Sequence, residues 1–168
     1  METKIVKRNL NNDEIDQLIA DVKRVPQLMA GDRKRWRKYT YFYVLFVDDF
    51  FAGVCAVVTL KNWIKLGPFV VLEKYRGKGL GKIIMSQITK DYSSENIFIG
   101  SPTPAVWRII SNLGFKEVPI WHLPWEIKKY MIDNIAQSLA NITIVKEFIG
   151  KREFKREKYR CFLKTHSS

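Results

Sequence analysis

The chain has 168 residues, 46% hydrophobic and 13% aromatic, a composition too apolar for disorder and a length that suits one domain with its own core. Charges interrupt every apolar run, which excludes a helical membrane span, and the opening METKIVKRNLNNDEID lacks the apolar stretch of a secretion signal, so a cytoplasmic address is expected. A formal net charge of +12 points to an anionic partner, such as nucleic acid or a phosphorylated cofactor, and disfavours polycations by repulsion.

In chain order, KIVKRNL (4–10) reads as a first strand. Asn11, Asn12 and Asp13 start a helix over EIDQLIADVKRV, with Ile15, Leu18, Ile19 and Val22 on one face. GDRKRWRKY (31–39) is a basic loop or helix end. TYFYVLFV and FFAGVCAVVTL flank Asp48 and Asp49, the pattern of a β-hairpin with the two aspartates in its turn. A further apolar run, WIKLGPFVVLEKY, ends at a glycine loop. KIIMSQITKDY follows with helical spacing, and NIFIG is a short strand. Thr103 and Pro104 open a helix over AVWRIISNLGF that stops at Gly114. Beyond Phe115, residues 124–140 read as a helix, NITIVKEFI as a strand and KYRCFLKT as a last strand or basic tail. Cys55 and Cys161 lie far apart and are expected buried and reduced. Two histidines are too few for a zinc site, so no metal is expected.

The loop EKYRGKGLGK carries the chemistry. A Walker loop needs a glycine where Arg76 stands and a Ser or Thr where Ile83 stands. A dinucleotide fingerprint needs G-x-G-x-x-G, whereas this loop runs Gly77, Gly79, Gly81 and follows antiparallel strands. What fits is R-x-x-G-x-G over Arg76, Gly79 and Gly81. Small residues let the amides of 77 to 82 turn outward, and the following helix adds its positive N-terminal end. Arg76, Lys78 and Lys82 would raise the local potential around a pyrophosphate. The plain alternative is an ordinary basic turn between strand and helix.

Together with the SNLGF segment some thirty residues on, the loop resembles the GCN5-related N-acetyltransferases, the GNAT superfamily of acyl-CoA N-acyltransferases. The resemblance covers residues 40–118 and implies a mixed α/β fold, with a mostly antiparallel central sheet flanked by helices. It also implies one domain over 1–168, divergent from about 119. The donor would be acetyl-CoA or another acyl-CoA. Its pyrophosphate would lie on Arg76, Gly77, Lys78, Gly79, Leu80, Gly81 and Lys82, and its pantetheine arm along GPFVVLE, with Val70 or Val71 supplying a backbone oxyanion donor. Thr103 stands near an asparagine position that contacts pantetheine in relatives, and Trp107 either covers the coenzyme slot or belongs to the core.

The same resemblance marks departures. Relatives often carry a thiolate-protonating tyrosine four residues before the GF glycine, and here that residue is Ile110. Ser111 points about 100° away around the helix, which leaves Tyr92 and Tyr130 as candidate acids. A thiol titrates near pH 8.5, so a thiolate can also leave unassisted. The strand glutamate of many relatives is absent from KLGPFVVL, leaving Glu73, Glu117 and His122 as candidate bases.

Arg33, Arg35, Trp36 and Arg37 combine cations with a ring, as does the tail around Phe154, Tyr159 and Phe162. Cations and rings suit a nucleic-acid strand, and solvated surface is the alternative. Three functions remain open: an N-acyltransferase acting by direct attack on a primary amine, the acceptor being a small amine, a protein, or a nucleic acid or transfer RNA; an enzyme adding another CoA-derived group to DNA or transfer RNA; and a module that binds CoA or nucleic acid without turnover.

Overall fold

The computed structural model describes residues 1–25, 28, 30–140, 145–146 and 159–166. Among these, seven strands form one sheet in the order β1-β2-β3-β4-β5-β7-β6, antiparallel except for the β4/β5 pair. The strands are β1 (Thr3–Arg8), β2 (Tyr41–Val47), β3 (Phe50–Thr59), β4 (Ile64–Val71), β5 (Ile97–Ser101), β6 (Lys116–Val118) and β7 (Arg160–Lys164). Five helices flank them: α1 (Asn12–Lys23), α2 (Arg33–Trp36), α3 (Leu80–Asp91), α4 (Pro104–Asn112) and α5 (Trp125–Leu139). This is the mixed, mostly antiparallel architecture expected. Short β6 was not anticipated, because three residues carry too little pattern. Of the strand expected over 141–149, only Val145 and Lys146 are described, and they are helical. The aromatic tail residue Phe154 lies outside the described residues.

Local chemistry explains the elements. Asn11 caps α1 in a reciprocal box, in which the Glu14 amide donates to Asn11 Oδ1 at 2.9 Å and the Asn11 amide donates to Glu14 Oε2 at 3.0 Å. The stripe of Ile15, Leu18 and Val22 then packs with Trp36, Phe42, Val54, Val70 and Leu72 on one face of the sheet. On the other face, Leu80, Ile84, Met85 and Ile88 of α3 and Ile110 of α4 cover Leu45, Leu66, Ile97 and Ile99. Helix α5 and the turn before it cover the far half of the α1 side, with Ile127 and Leu123 against Phe98 and Cys161. Both cysteines are buried and unbridged, and burial pushes their thiols up to about 12 (Cys55) and about 11 (Cys161). Asp48 and Asp49 form the β2–β3 turn with φ 47° and 62°, two left-handed residues between paired Val47 and Phe50.

Arg8 binds α1 to the sheet edge through Glu14, with Nη1 donating to Oε2 at 2.9 Å and Nη2 to Oε1 at 2.5 Å. Burial pushes the Glu14 carboxyl up, but Arg8 and the Asn11 amide outweigh it and hold it below the usual glutamate range. Its stabilising effect is therefore present at neutral pH and is lost as pH falls through the folded value. Glu14→Ala removes the cap and strands Arg8, so it is expected to lower unfolding free energy by about 2–4 kcal/mol in urea titrations. A loss under about 0.5 kcal/mol would contradict this role.

Candidate functional site

Strands β4 and β5 begin as a parallel pair, matching Ile64, Lys65 and Leu66 to Ile97, Phe98 and Ile99, and then part. Past this point β5 continues against β7 and β4 against β3. The β5-facing edge of residues 67–71 is left without a strand partner, and a V-shaped cleft opens with its apex at Leu66. Beside the apex β4 carries a bulge, because the four residues from Leu66 to Phe69 lie opposite only three of β3, from Val57 to Cys55. The extra residue reverses the alternation, so Ile64 and Leu66 face α3 while Val70 and Leu72 face α1.

The register beyond the bulge decides which amides face the cleft. The Leu72 amide donates to Ala52 O at 2.9 Å, toward β3. By alternation the Val70 amide also faces β3, and those of Phe69 and Val71 face the open edge. Of the two valines, the register therefore favours Val71 as the oxyanion donor and directs Val70 into the sheet, with its side chain buried in the α1-side core.

The glycine loop follows the open edge. Gly77 (φ 78°) and Gly79 (φ 77°) occupy left-handed backbone, which glycine alone adopts at no cost. Gly81 serves a different purpose. A Cβ there would lie 3.1 Å from Ile109 Cδ1 and 3.3 Å from the Phe69 ring, so its bareness seats the first turn of α3 on β4 and α4. No described backbone carbonyl accepts from the amides of residues 77 to 81, whereas Lys82 and Ile83 already bond Gly79 O. These amides and the positive end of α3 lie together at the mouth of the cleft, an arrangement with the chemistry to accept an anion. Lys78 and Lys82 are exposed beside it, and Leu80 contributes only backbone, its side chain being core.

Arg76 does not aim its charge at the cradle. Its Nε donates to Val71 O at 2.8 Å and its Nη2 binds Asp21 Oδ2 of α1, while Asp21 Oδ1 accepts from the Glu73 amide at 2.8 Å. The arginine is a clamp holding loop, strand and helix together. Glu73 is corrected with it: the side chain is exposed and pairs with Arg24 at 3.7 Å at the C-terminal end of α1, away from the cleft.

At the apex, on the α1 and α5 side, lies a residue that the sequence pattern did not single out. Lys65 reaches along β4 and donates to Gly67 O at 2.5 Å. Its ammonium lies 6.0 Å from the Tyr39 ring centre and 5.6 Å from that of Tyr130 on α5. Burial, reinforced by the charge of Arg35, pulls Lys65 down to about 8 against an opposing pull from Cys55. Burial pushes the Tyr130 phenol up to about 12, so it keeps its proton at neutral pH. The signal was present, since Lys65 is a single cation inside the apolar run WIKLGPFVV.

Other candidates fall elsewhere. Ile110 is fully buried in the α3-side core. Tyr92 bonds Tyr41 at the C-terminal end of α3, beside Tyr43 and Asp91, far along the sheet from the loop. Ser111 lines an open hollow between α4, β6 and β7, where Glu117 pairs with Arg160 at 3.0 Å. His122 is exposed beside Trp121. Thr103 ends the link from β5 to α4, its amide donating to Ser101 Oγ at 3.1 Å. Trp107 donates to Ser101 O at 2.8 Å, lies under Arg160 of β7 and packs on the α3-side core, so of its two readings the arrangement favours the core residue over the cover of a coenzyme slot.

The basic segment is also revised. Trp36 is 3% exposed and its indole donates to Ala30 O at 3.0 Å, so no base can stack on it. Arg33 is engaged by Asp16, and Arg37 by Asn12 at 2.6 Å. Arg35 lies behind Tyr39, near Lys65.

The model of the acetyltransferase (GNAT) family matches residues 11–108, more than half of the chain and inclusive of cleft and loop. The chain belongs to that family. Solved structures agree on the fold: a GNAT acetyltransferase from Staphylococcus aureus (TM-score 0.62, 16% identity, 98% of this chain and 100% of the other) and an acetyltransferase from Streptococcus agalactiae (0.64, 14%, 97% and 98%). N-acetylglutamate synthase from Neisseria gonorrhoeae, solved with coenzyme A and N-acetyl-glutamate, aligns with the whole chain at TM-score 0.67 and 15% identity, but the chain spans only 36% of its length. No curated protein matches by sequence.

Within this GNAT chain Trp36 is a core residue. Trp36→Ala is expected to cost about 3–5 kcal/mol in chemical unfolding and leave any nucleic-acid affinity of the remaining folded protein unchanged. A stable variant with weakened nucleic-acid binding would restore the stacking role.

Proposed function

We propose that the chain is an acyl-CoA-dependent N-acyltransferase, moving an acetyl group from acetyl-CoA to a primary amine by direct attack in a ternary complex. The observation that carries this reading is the continuity of an unpaired β4 edge with a cradle of outward amides. The pantetheine amides would bond the edge as an added strand, and the pyrophosphate would lie on residues 77 to 81 against the N-terminus of α3. Lys78 and Lys82 would add local potential, Arg76 would fix the shape of the loop, and Thr103 would border the β5 rim.

Attack on the thioester moves charge onto the carbonyl oxygen, and the amides that face that edge, Val71 and Phe69, are the candidate donors. The Tyr130 phenol, still protonated, is the candidate donor to the departing thiolate in place of the absent tyrosine at Ile110. A single domain over 1–168 is part of this proposal. The +12 charge supports a nucleic-acid-linked amine as one acceptor class, although the arrangement around Trp36 adds nothing to it. Buried Ile110 favours a second reading, a CoA-binding module without turnover.

Gly79→Asp places a carboxylate and a strained left-handed residue at the cradle. Calorimetric titration is expected to show CoA binding to the wild type and at least about tenfold weaker binding to the variant. Equal affinities would refute the loop assignment. Acetyl-labelled acetyl-CoA incubated with the protein and a panel of primary amines is expected to yield labelled amide, whereas CoA binding without product would select the binding module.

A further inference from the structure

We propose that Lys65 is the catalytic base of this protein, taking a proton from the acceptor ammonium at the apex of the β4–β5 cleft. The inference rests on the transferase reading above.

Position is the first ground. Lys65 belongs to the last paired stretch of β4, and its Nζ, 2.5 Å from Gly67 O, lies where the two strands part. A donor lying along residues 67–71 would bring its thioester toward this point, and the ammonium is on the α5 side, opposite α3. Lys38, two residues past α2, donates to Gln137 of α5 at 2.9 Å, so α5 and the segment after α2 adjoin on the side of the sheet where Lys65 lies, and an amine reaching the apex from that side would meet Lys65.

Surroundings are the second ground. Among the described residues, the groups near Lys65 are the guanidinium of Arg35 from the α2 side, the Tyr39 phenol before β2, the buried Cys55 thiol of β3, the Tyr130 phenol of α5 and, beside those two phenols, the Tyr159 phenol before β7. None of these is a carboxylate. Burial beside Arg35 lets Lys65 reach the neutral state near pH 8, while Cys55 and the three tyrosines keep their protons. Among the described residues, the carboxylates and the imidazole that the sequence offered for the role lie away from the apex: Glu73 pairs with Arg24, Glu117 with Arg160, and His122 is on an outer turn.

The step balances. Neutral Lys65 accepts one proton from the acceptor ammonium, and the released nitrogen pair attacks the thioester carbon. The C–N bond forms as the carbonyl π pair moves to oxygen, at an amide of the open β4 edge. As the carbonyl re-forms, the C–S bond breaks and the thiolate leaves with the bonding pair. The second nitrogen proton ends on that sulfur by way of Tyr130, and Lys65 returns its proton to solvent.

The test pairs spectroscopy with kinetics. In uniformly labelled protein, the 13Cε and 15Nζ shifts of Lys65 are expected to titrate near pH 8, well below an ordinary lysine. In acyl transfer to an aliphatic primary amine, which ionises at about 10 and so remains an ammonium ion through this range, kcat/KM is expected to rise through the same pH. Lys65→Arg keeps the charge but cannot give up its proton, so kcat should fall about 10²–10⁴-fold and the pH limb should disappear. CoA affinity should remain. Titration at an ordinary lysine value, or a Lys65→Arg enzyme with wild-type rate and profile, overturns the proposal and leaves a fixed cation, with the transferase reading intact. CoA binding with no transfer to any amine overturns the transferase reading itself, and with it the role of Lys65.

Discussion

The site depends on the parting of β4 from β5 after Leu66 and Ile99. A paired strand has its amides occupied, and an unpaired inner strand would leave polar groups without partners. Here the bulge between Leu66 and Phe69 lets β4 keep its bonds to β3 while turning its other edge outward. One irregularity thus produces three features: an open edge ending at the Val71 amide, a reversed alternation that delivers Val70 and Leu72 to the α1-side core, and a lysine at the apex.

The rest of the molecule holds this opening in shape. On one face the bare Gly81 lets α3 sit against Phe69, so the positive end of the helix adjoins the open edge. On the other, Asp21 of α1 grips both the Glu73 amide and Arg76, and Arg76 in turn holds Val71 O. The two polar groups of the Val71 backbone therefore have distinct roles, its oxygen occupied by the clamp and its amide directed into the cleft. The family match and the fold place the chain in the acetyltransferase (GNAT) family. The particular chemistry proposed comes from what lines the apex.

Much of this was legible in the residues. The asparagine cap of α1, the Asp48–Asp49 turn, the Thr103–Pro104 helix start and the glycine loop each depend on local backbone chemistry, which a short stretch can encode. What the sequence could not show depended on distance. Trp36 sits in a basic run yet points into the core, because α2 is a single turn whose inward face is set by α1 and β2. Arg76 is a loop cation whose partner, Asp21, lies 55 residues away. Lys65 looked like one charge in a strand, and only the parting of β4 from β5 and the arrival of α5 set it at the apex beside Tyr39 and Tyr130. The short β6 strand exists only because β7 returns beside it.

The central claim is that the donor adds itself to the open edge of β4 and rests on the amides of the loop. The most direct measurement is the amide spectrum of 15N-labelled protein titrated with CoA. The account predicts that the Phe69 and Val71 amides and those of residues 77 to 81 shift and become protected from exchange, while Val70, already bonded within the sheet, changes little. Shifts confined to the hollow beside Trp107 and Arg160, with the β4 edge unmoved, would contradict it.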